Sequence, residues 1–181
     1  MSIVILDAMV NDTAVSNIAK EIMGELRGEK TLFNLKDMNI LPCRSCGGCS
    51  FKSPGKCVVQ DEMHGIMGAI AKCHTIIMVT PIRFGGYPSI LKKAVDKFMN
   101  LCLPTYTVQD GHLLHPPRYG NKALIVIGIS NGKREQEISF TKLVENNALN
   151  LQYASKAVIL KETDDLEAIK ERISNVLKEV C

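Results

Sequence analysis

The sequence predicts a doubly wound α/β fold, a five-stranded parallel sheet in the order 2-1-3-4-5 with helices on both faces, in three α/β/α layers. Three observations lead there. Five short runs are rich in Val and Ile and lack two-residue alternation, as strands buried on both faces do. Stretches with helical spacing of apolar residues separate them. The chain has 181 residues, which suits one domain over residues 1–181 and leaves no room for a second of similar size.

The first strand is Ile3–Leu6, and Val15, Ile18, Ala19, Ile22 and Leu26 mark the helix after it. The second strand is Thr31–Leu35, followed by a cysteine-bearing stretch and then by a helix on Met63, Ile66, Met67 and Ile70. The third strand, Thr75–Thr80, stops at Pro81, and Ile90, Leu91, Ala94, Val95 and Phe98 carry the third helix. Leu103–Asn121, with Pro104, Gly111, Pro116 and Pro117, reads as one long irregular loop, and loops of that length are more often functional than idle. The fourth strand is Ala123–Gly128, with a sparser helical pattern on Phe140, Leu143, Val144 and Leu151. The fifth is Ala157–Leu160, before a strong pattern on Leu166, Ile169, Ile173, Val176 and Leu177. Ligands of such sheets bind at the carboxyl ends of the strands, where the winding reverses. That crevice is bordered by Asp7–Thr13, Pro81–Pro88 and Ile129–Lys133, the last including Ser130.

Composition excludes several classes. Apolar residues at 46% and charged residues at 23% are ordinary for a globular chain and exclude disorder. A net charge of +3, from 22 basic and 19 acidic residues, is too small and too evenly spread for a nucleic-acid surface. No apolar run approaches the roughly 18 residues of a membrane span. With no Trp and 5% aromatics there is little to stack bases or sugars on. The chain opens as a strand, without a basic start or small-residue cleavage site, so no secretory leader is expected and a reducing cytoplasm is the expected address.

Seven cysteines are present, and four fall within 43–57: Cys43, Cys46, Cys49 and Cys57. Without a secretory leader, such a cluster points to a metal or redox site rather than a disulfide framework. Three thiolates at i, i+3 and i+6, in a loop with Gly47 and Gly48, can wrap one small cluster with amides aimed at sulfur. The Ser53-Pro54-Gly55 turn brings back the fourth. Structural zinc usually takes two separated C-x₂-C pairs, so the spacing favours a [4Fe–4S] cluster. Zinc, a C-x-x-C redox pair and free thiols stay open as alternatives. Cys73, Cys102 and Cys181 lie in or beside apolar patterns and read as packing residues or a tail thiol.

A second motif is Thr80-Pro81-Ile82-Arg83-Phe84-Gly85-Gly86-Tyr87-Pro88. Pro81 ends the strand, Pro88 suits a first helical turn, and the glycines let the backbone approach a flat ring while its amides donate to ring carbonyls. The cysteine run with Gly55, Asp61, Glu62 and Met63, followed by this motif, resembles the NADPH-dependent FMN reductase and iron–sulfur flavoprotein group. The long loop, from Leu103-Pro104 through Gly111-His112 to His115 and Arg118-Tyr119, resembles one branch of it. The resemblance implies a flavodoxin-like fold, bound FMN, and association into homodimers or homotetramers. It also implies electron transfer from NAD(P)H or a reduced carrier, through FMN and a [4Fe–4S] cluster, to a small-molecule or protein acceptor. Carried over by position, Pro81, Ile82, Arg83, Phe84, Gly85 and Gly86 lie along the isoalloxazine, and Cys43, Cys46, Cys49 and Cys57 hold the cluster. His112 and His115 are candidates to approach the flavin, and His115 or Arg83 to stabilise its reduced anion.

One loop departs from the group. Its phosphate cradle is typically Gly-Ser-Pro-Arg-like, whereas this chain has Asp7-Ala8-Met9-Val10-Asn11-Asp12-Thr13. Met9 stands where a hydroxyl is expected and Asn11 where a cation is expected. The helix N-terminus with Asn11, Thr13 and Ser16 remains as the phosphate site, and Lys133 and Arg134 are further cations at the same pole. Two other functions stay open: a cluster-free reductase of quinones or aromatic electrophiles, and a flavin-less structural or metal-binding subunit.

Overall fold

The computed structural model describes residues 2–10 and 18–180. Five parallel strands form the main sheet: β1 (Ser2–Asp7), β2 (Glu29–Asn34), β3 (Thr75–Pro81), β6 (Ala123–Ser130) and β7 (Ala154–Lys161). Their order is β2-β1-β3-β6-β7, which is the expected 2-1-3-4-5 once two short strands elsewhere are set aside. The central strands β1, β3 and β6 are buried almost throughout, as unbroken Val/Ile runs require. The edge strands behave differently. β2 alternates between exposed and half-buried positions, and β7 begins three residues earlier than its apolar run because Ala154, Ser155 and Lys156 pair with β6 while facing solvent.

On one face pack α3 (Met63–Lys72), α4 (Ser89–Val95) and α5 (Arg134–Leu151), over a core of Ile66, Ile70, Leu91, Ala94, Phe140 and Val144. On the other lie α1 (Ile18–Glu25) and α6 (Leu166–Val180), with Ile18, Ile22, Ile169 and Ile173 against Ile5, Val79 and Ile127. A short helix, α2 (Gly48–Phe51), stands inside the cysteine loop, and a 3₁₀ turn at Asp96–Leu101 extends α4. Among the described residues, no helix is long and apolar enough to cross a membrane.

The long loop is not irregular throughout. It holds an antiparallel hairpin, β4 (Thr107–Gln109) and β5 (His112–Leu114), turning on Asp110 and Gly111. Both turn residues have positive φ, 49° and 78°, as a two-residue type I′ turn demands. Asp-Gly is the sequence signal for that turn, but with only three residues on each side the strands show no legible alternation.

Candidate functional site

At the carboxyl ends of the strands, β1, β3 and β6 finish side by side, with Asp7 level with Val79 and Pro81 with Ile129. The winding reverses between β1 and β3, so this is the crevice the topology assigns to a ligand. Asp7 is buried there, and its Oδ1 accepts the Met9 amide at 2.9 Å. Burial pushes the Asp7 carboxyl above the usual range, against the pull of that amide and of Lys36 and Lys20. A carboxyl that binds its proton more tightly folded than unfolded lowers stability as pH rises through its folded-state pKa. Asp7→Asn is therefore expected to raise the melting temperature at neutral pH, the gain shrinking toward roughly pH 4. Melting curves between roughly pH 4 and 8 check this; an equal or lower melting temperature for the variant at neutral pH would refute it.

Met9 does not offer its side chain to the crevice. It packs in the α1 and α6 core and is 9% exposed, so its side chain serves apolar burial rather than the crevice. Asn11, Thr13 and Ser16 lie outside the described residues. Ser130 is at the end of β6, but its hydroxyl is already used. It donates to the Glu137 carboxylate and accepts the Gly132 amide at 2.9 Å. Lys133 and Arg134 stand exposed at the start of α5.

The segment after β3 makes a tight turn in which Arg83 and Gly86 exchange both backbone hydrogen bonds, at 3.0 and 2.9 Å. Ile82 ties it to β6 through the Ile129 carbonyl at 2.8 Å. At its tip Phe84 and Gly85 both have positive φ, 52° and 76°. An aromatic residue in the left-handed region is a strained choice, and Phe84 is also 96% exposed. Among the described residues, the Phe84 and Gly85 amides have no hydrogen-bond partner. The Phe84 amide, on an exposed residue, suits a flat, carbonyl-bearing group, whereas Gly85 is buried against α5. The structure gives Gly85 a second reason to lack a side chain: a Cβ there would come within 2.8 Å of Ser139 Cβ on α5.

Cys43, Cys46, Cys49 and Cys57 line one pocket of about 520 Å³, and Arg44, Lys92, Asp96 and Met99 line it with them. Residues 81–86 do not line it, so the two sequence motifs occupy neighbouring but separate places. The Ser45 amide points at Cys43 Sγ, 3.4 Å away. Gly48 opens α2 against Val58, where a Cβ would lie 2.6 Å from a methyl group, so that position admits only glycine without movement. Burial pushes the Cys49 thiol up, and the neighbouring Cys57 and Cys43 sulfurs add to it. Among the described residues, no group of three or more His, Cys, Asp or Glu side chains is gathered to hold a single metal ion. Cys73 and Cys102 are buried in the core, as packing residues are; Cys181 lies outside the described residues.

The long loop serves the cysteines rather than the crevice. The Gly55 amide donates to the Cys49 carbonyl at 2.9 Å, turning the chain back toward Cys57. A Cβ on Gly55 would meet Tyr119 Oη at 2.8 Å and Arg118 Cδ at 3.0 Å. Arg118 is held in turn by the carbonyls of Cys102 and Asn100. His115 stacks on Tyr106 at 4.3 Å and its carbonyl accepts from Gln152, just before β7 begins. That is the amino end of the sheet, so within one chain neither His112 nor His115 reaches the crevice. Sequence distance hid this: nothing local says to which pole a proline-rich loop returns.

A family model described as NADPH-dependent FMN reductase matches residues 1–158. The chain belongs to that family. Two similar proteins carry the name iron–sulfur flavoprotein. One, from Methanosarcina thermophila, is 27% identical over 128 residues, 71% of this chain and 62% of that protein. The other, from Archaeoglobus fulgidus, is 29% identical over 93 residues, 51% of this chain and 44% of that protein. The chain thus spans less than two thirds of either relative's length. Among solved structures, Smu.1420 from Streptococcus mutans superposes with a TM-score of 0.71 at 16% identity, covering 99% of this chain and 98% of that one. The azoreductase AzrA gives 0.62 at 12% identity, covering 99% and 97%. These likenesses show the flavodoxin-like fold.

Proposed function

We propose that this chain is a single-domain flavin oxidoreductase that binds FMN at the carboxyl ends of β1, β3 and β6 and a [4Fe–4S] cluster on Cys43, Cys46, Cys49 and Cys57. Asn11, Thr13 and Ser16 take the phosphate; Pro81, Ile82, Arg83, Phe84, Gly85 and Gly86 lie along the ring, and Ser130 borders it. The bound cofactors supply hydride acceptance and one-electron transfer. The protein's own part is to orient and tune: the exposed Phe84 amide is free to donate to a ring carbonyl, and Arg83, exposed beside it, can face the charge of a reduced ring. Electrons enter from NAD(P)H or a reduced carrier and leave to a small-molecule or protein acceptor, in a cytoplasmic homodimer or homotetramer.

The observation that carries the cluster is the common pocket of the four thiols. A single zinc ion draws its sulfurs to about 2.3 Å from one point, whereas a four-iron cluster offers a separate corner to each thiolate. A second reading, a cluster-free reductase of quinones or aromatic electrophiles, is favoured by the lack of a gathered metal group among the described residues. The absorption spectrum of anaerobically purified protein, with iron, sulfide and flavin counted, separates them. Flavin bands over a broad iron–sulfur absorbance support the proposal; flavin alone after reconstitution supports the second reading; neither removes both.

Gly86 tests the ring position cleanly. Among the described residues, a Cβ there would have only Arg83 O at 3.7 Å and Leu143 Cδ2 at 3.9 Å as neighbours, so the fold tolerates Gly86→Ala. If backbone lies against the ring, the methyl group should weaken FMN by roughly ten- to hundredfold, the cost of overpacking a tight contact. Unchanged affinity by titration would move the ring elsewhere.

A further inference from the structure

We propose that Lys97 is the positioning residue of the cysteine loop, acting through Asp61, whose one carboxylate ties the two ends of the loop together. The proposal rests on the reading that those cysteines hold a cluster. The loop leaves the core after Ile40 and rejoins it at α3. On the outgoing side the Leu41 amide donates to Asp61 Oδ2 at 2.9 Å; on the returning side the Met63 amide donates to Oδ1 at 3.1 Å. Lys97 donates to Oδ2. Beside this, the Glu62 carboxylate accepts the Asn39 amide and the Glu62 amide donates to the Asn39 carbonyl. A loop of twenty residues closes on two adjacent acids.

The side chains of Lys97 and Asp61 are each 1% exposed. Asp61 is the one partner Lys97 has among the described residues. Burial opposes ionisation of Asp61, but the ammonium and the two amides outweigh it and hold the carboxyl below its usual range. Stability alone does not explain such a pair, because apolar residues of like volume commonly serve as well in a buried site. What an apolar pair cannot do is accept two amides from opposite ends of a loop. Lys97 also lies in the 3₁₀ turn between Asp96 and Met99, which line the cysteine pocket, so the pair fastens the loop to a second segment of the pocket's lining.

The test has two readouts. In the wild type, the Leu41 amide should exchange with solvent roughly ten- to hundredfold more slowly than in a free chain, although Leu41 is itself exposed. Lys97→Met with Asp61→Leu removes both charges and both acceptors while leaving no orphan charge. It should fold, bind FMN as the wild type does, lose the Leu41 protection, and take up less than about half the wild-type iron and sulfide on anaerobic reconstitution. Wild-type iron content in a folded double variant, or free exchange at Leu41 in the wild type, overturns the proposal. If the double variant does not fold, Asp61→Asn, which keeps one acceptor oxygen, should give intermediate loading; full loading overturns the proposal. If the wild type takes up no iron, the cluster reading fails by itself. Alkylation then decides the clamp: the four thiols should react at distinct rates in the wild type and converge in the variant, and unchanged rates overturn it.

Discussion

Cys49→Ala, reconstituted anaerobically, is expected to carry almost no iron or sulfide, against about four of each per chain in the wild type, while its FMN content is unchanged. Cys49 lies in α2 on the wall of the pocket, next to the Cys57 and Cys43 sulfurs, and α2 is held by Gly48 against Val58. Such a wall cannot shift another ligand into the empty corner. A cluster lacking one thiolate is left open to solvent, and its binding free energy falls with each lost ligand. Flavin should stay because residues 81–86 do not line that pocket. Cys73→Ala is the control: buried in the core, it should cost roughly 0.5–3 kcal/mol of stability and leave iron content as it was. Equal iron in Cys49→Ala and wild type, or zinc in place of iron in the wild type, would reject the assignment.

The second large effect is at the phosphate loop. Asn11→Arg is expected to tighten FMN by roughly ten- to several-hundredfold, since a hydrogen bond to a charged group contributes roughly 1.5–3 kcal/mol and each 1.4 kcal/mol is about tenfold. The Asp7 carboxylate repels a phosphate where water is thin, and helix-terminal amides offset only part of that. Riboflavin, which lacks the phosphate, should gain little. Met9 is left alone in this design because its side chain belongs to the core, and a serine there would lose apolar burial. Titration of the variant with FMN and riboflavin decides. Equal gains for both ligands, or none for FMN, would place the phosphate on another cation such as Lys133.

What the sequence by itself determined is what short-range physics determines. Short apolar runs alternating with helical patterns read as strands covered on both faces, so the cores of β1, β3 and β6 were legible, one or two residues short of their observed ends, and the sheet order followed from the doubly wound fold class. The cysteine spacing was legible for the same reason: residues three apart in a glycine-bearing loop must stay close wherever the loop goes. The tertiary structure decided the rest. The long loop returns to the amino end of the sheet, sets Arg118 and Tyr119 against the Gly55 turn, and so buttresses the cysteines instead of reaching the crevice. Met9 turns into the core, and Gly85 is kept bare by Ser139 as much as by any ligand. Asp61, which a local reading sees only as part of a motif, becomes the knot between Leu41, Met63 and a buried lysine 36 residues away. Each of these depends on contacts between segments remote in the chain, and burial of a side chain is a property of its neighbours rather than of its own sequence.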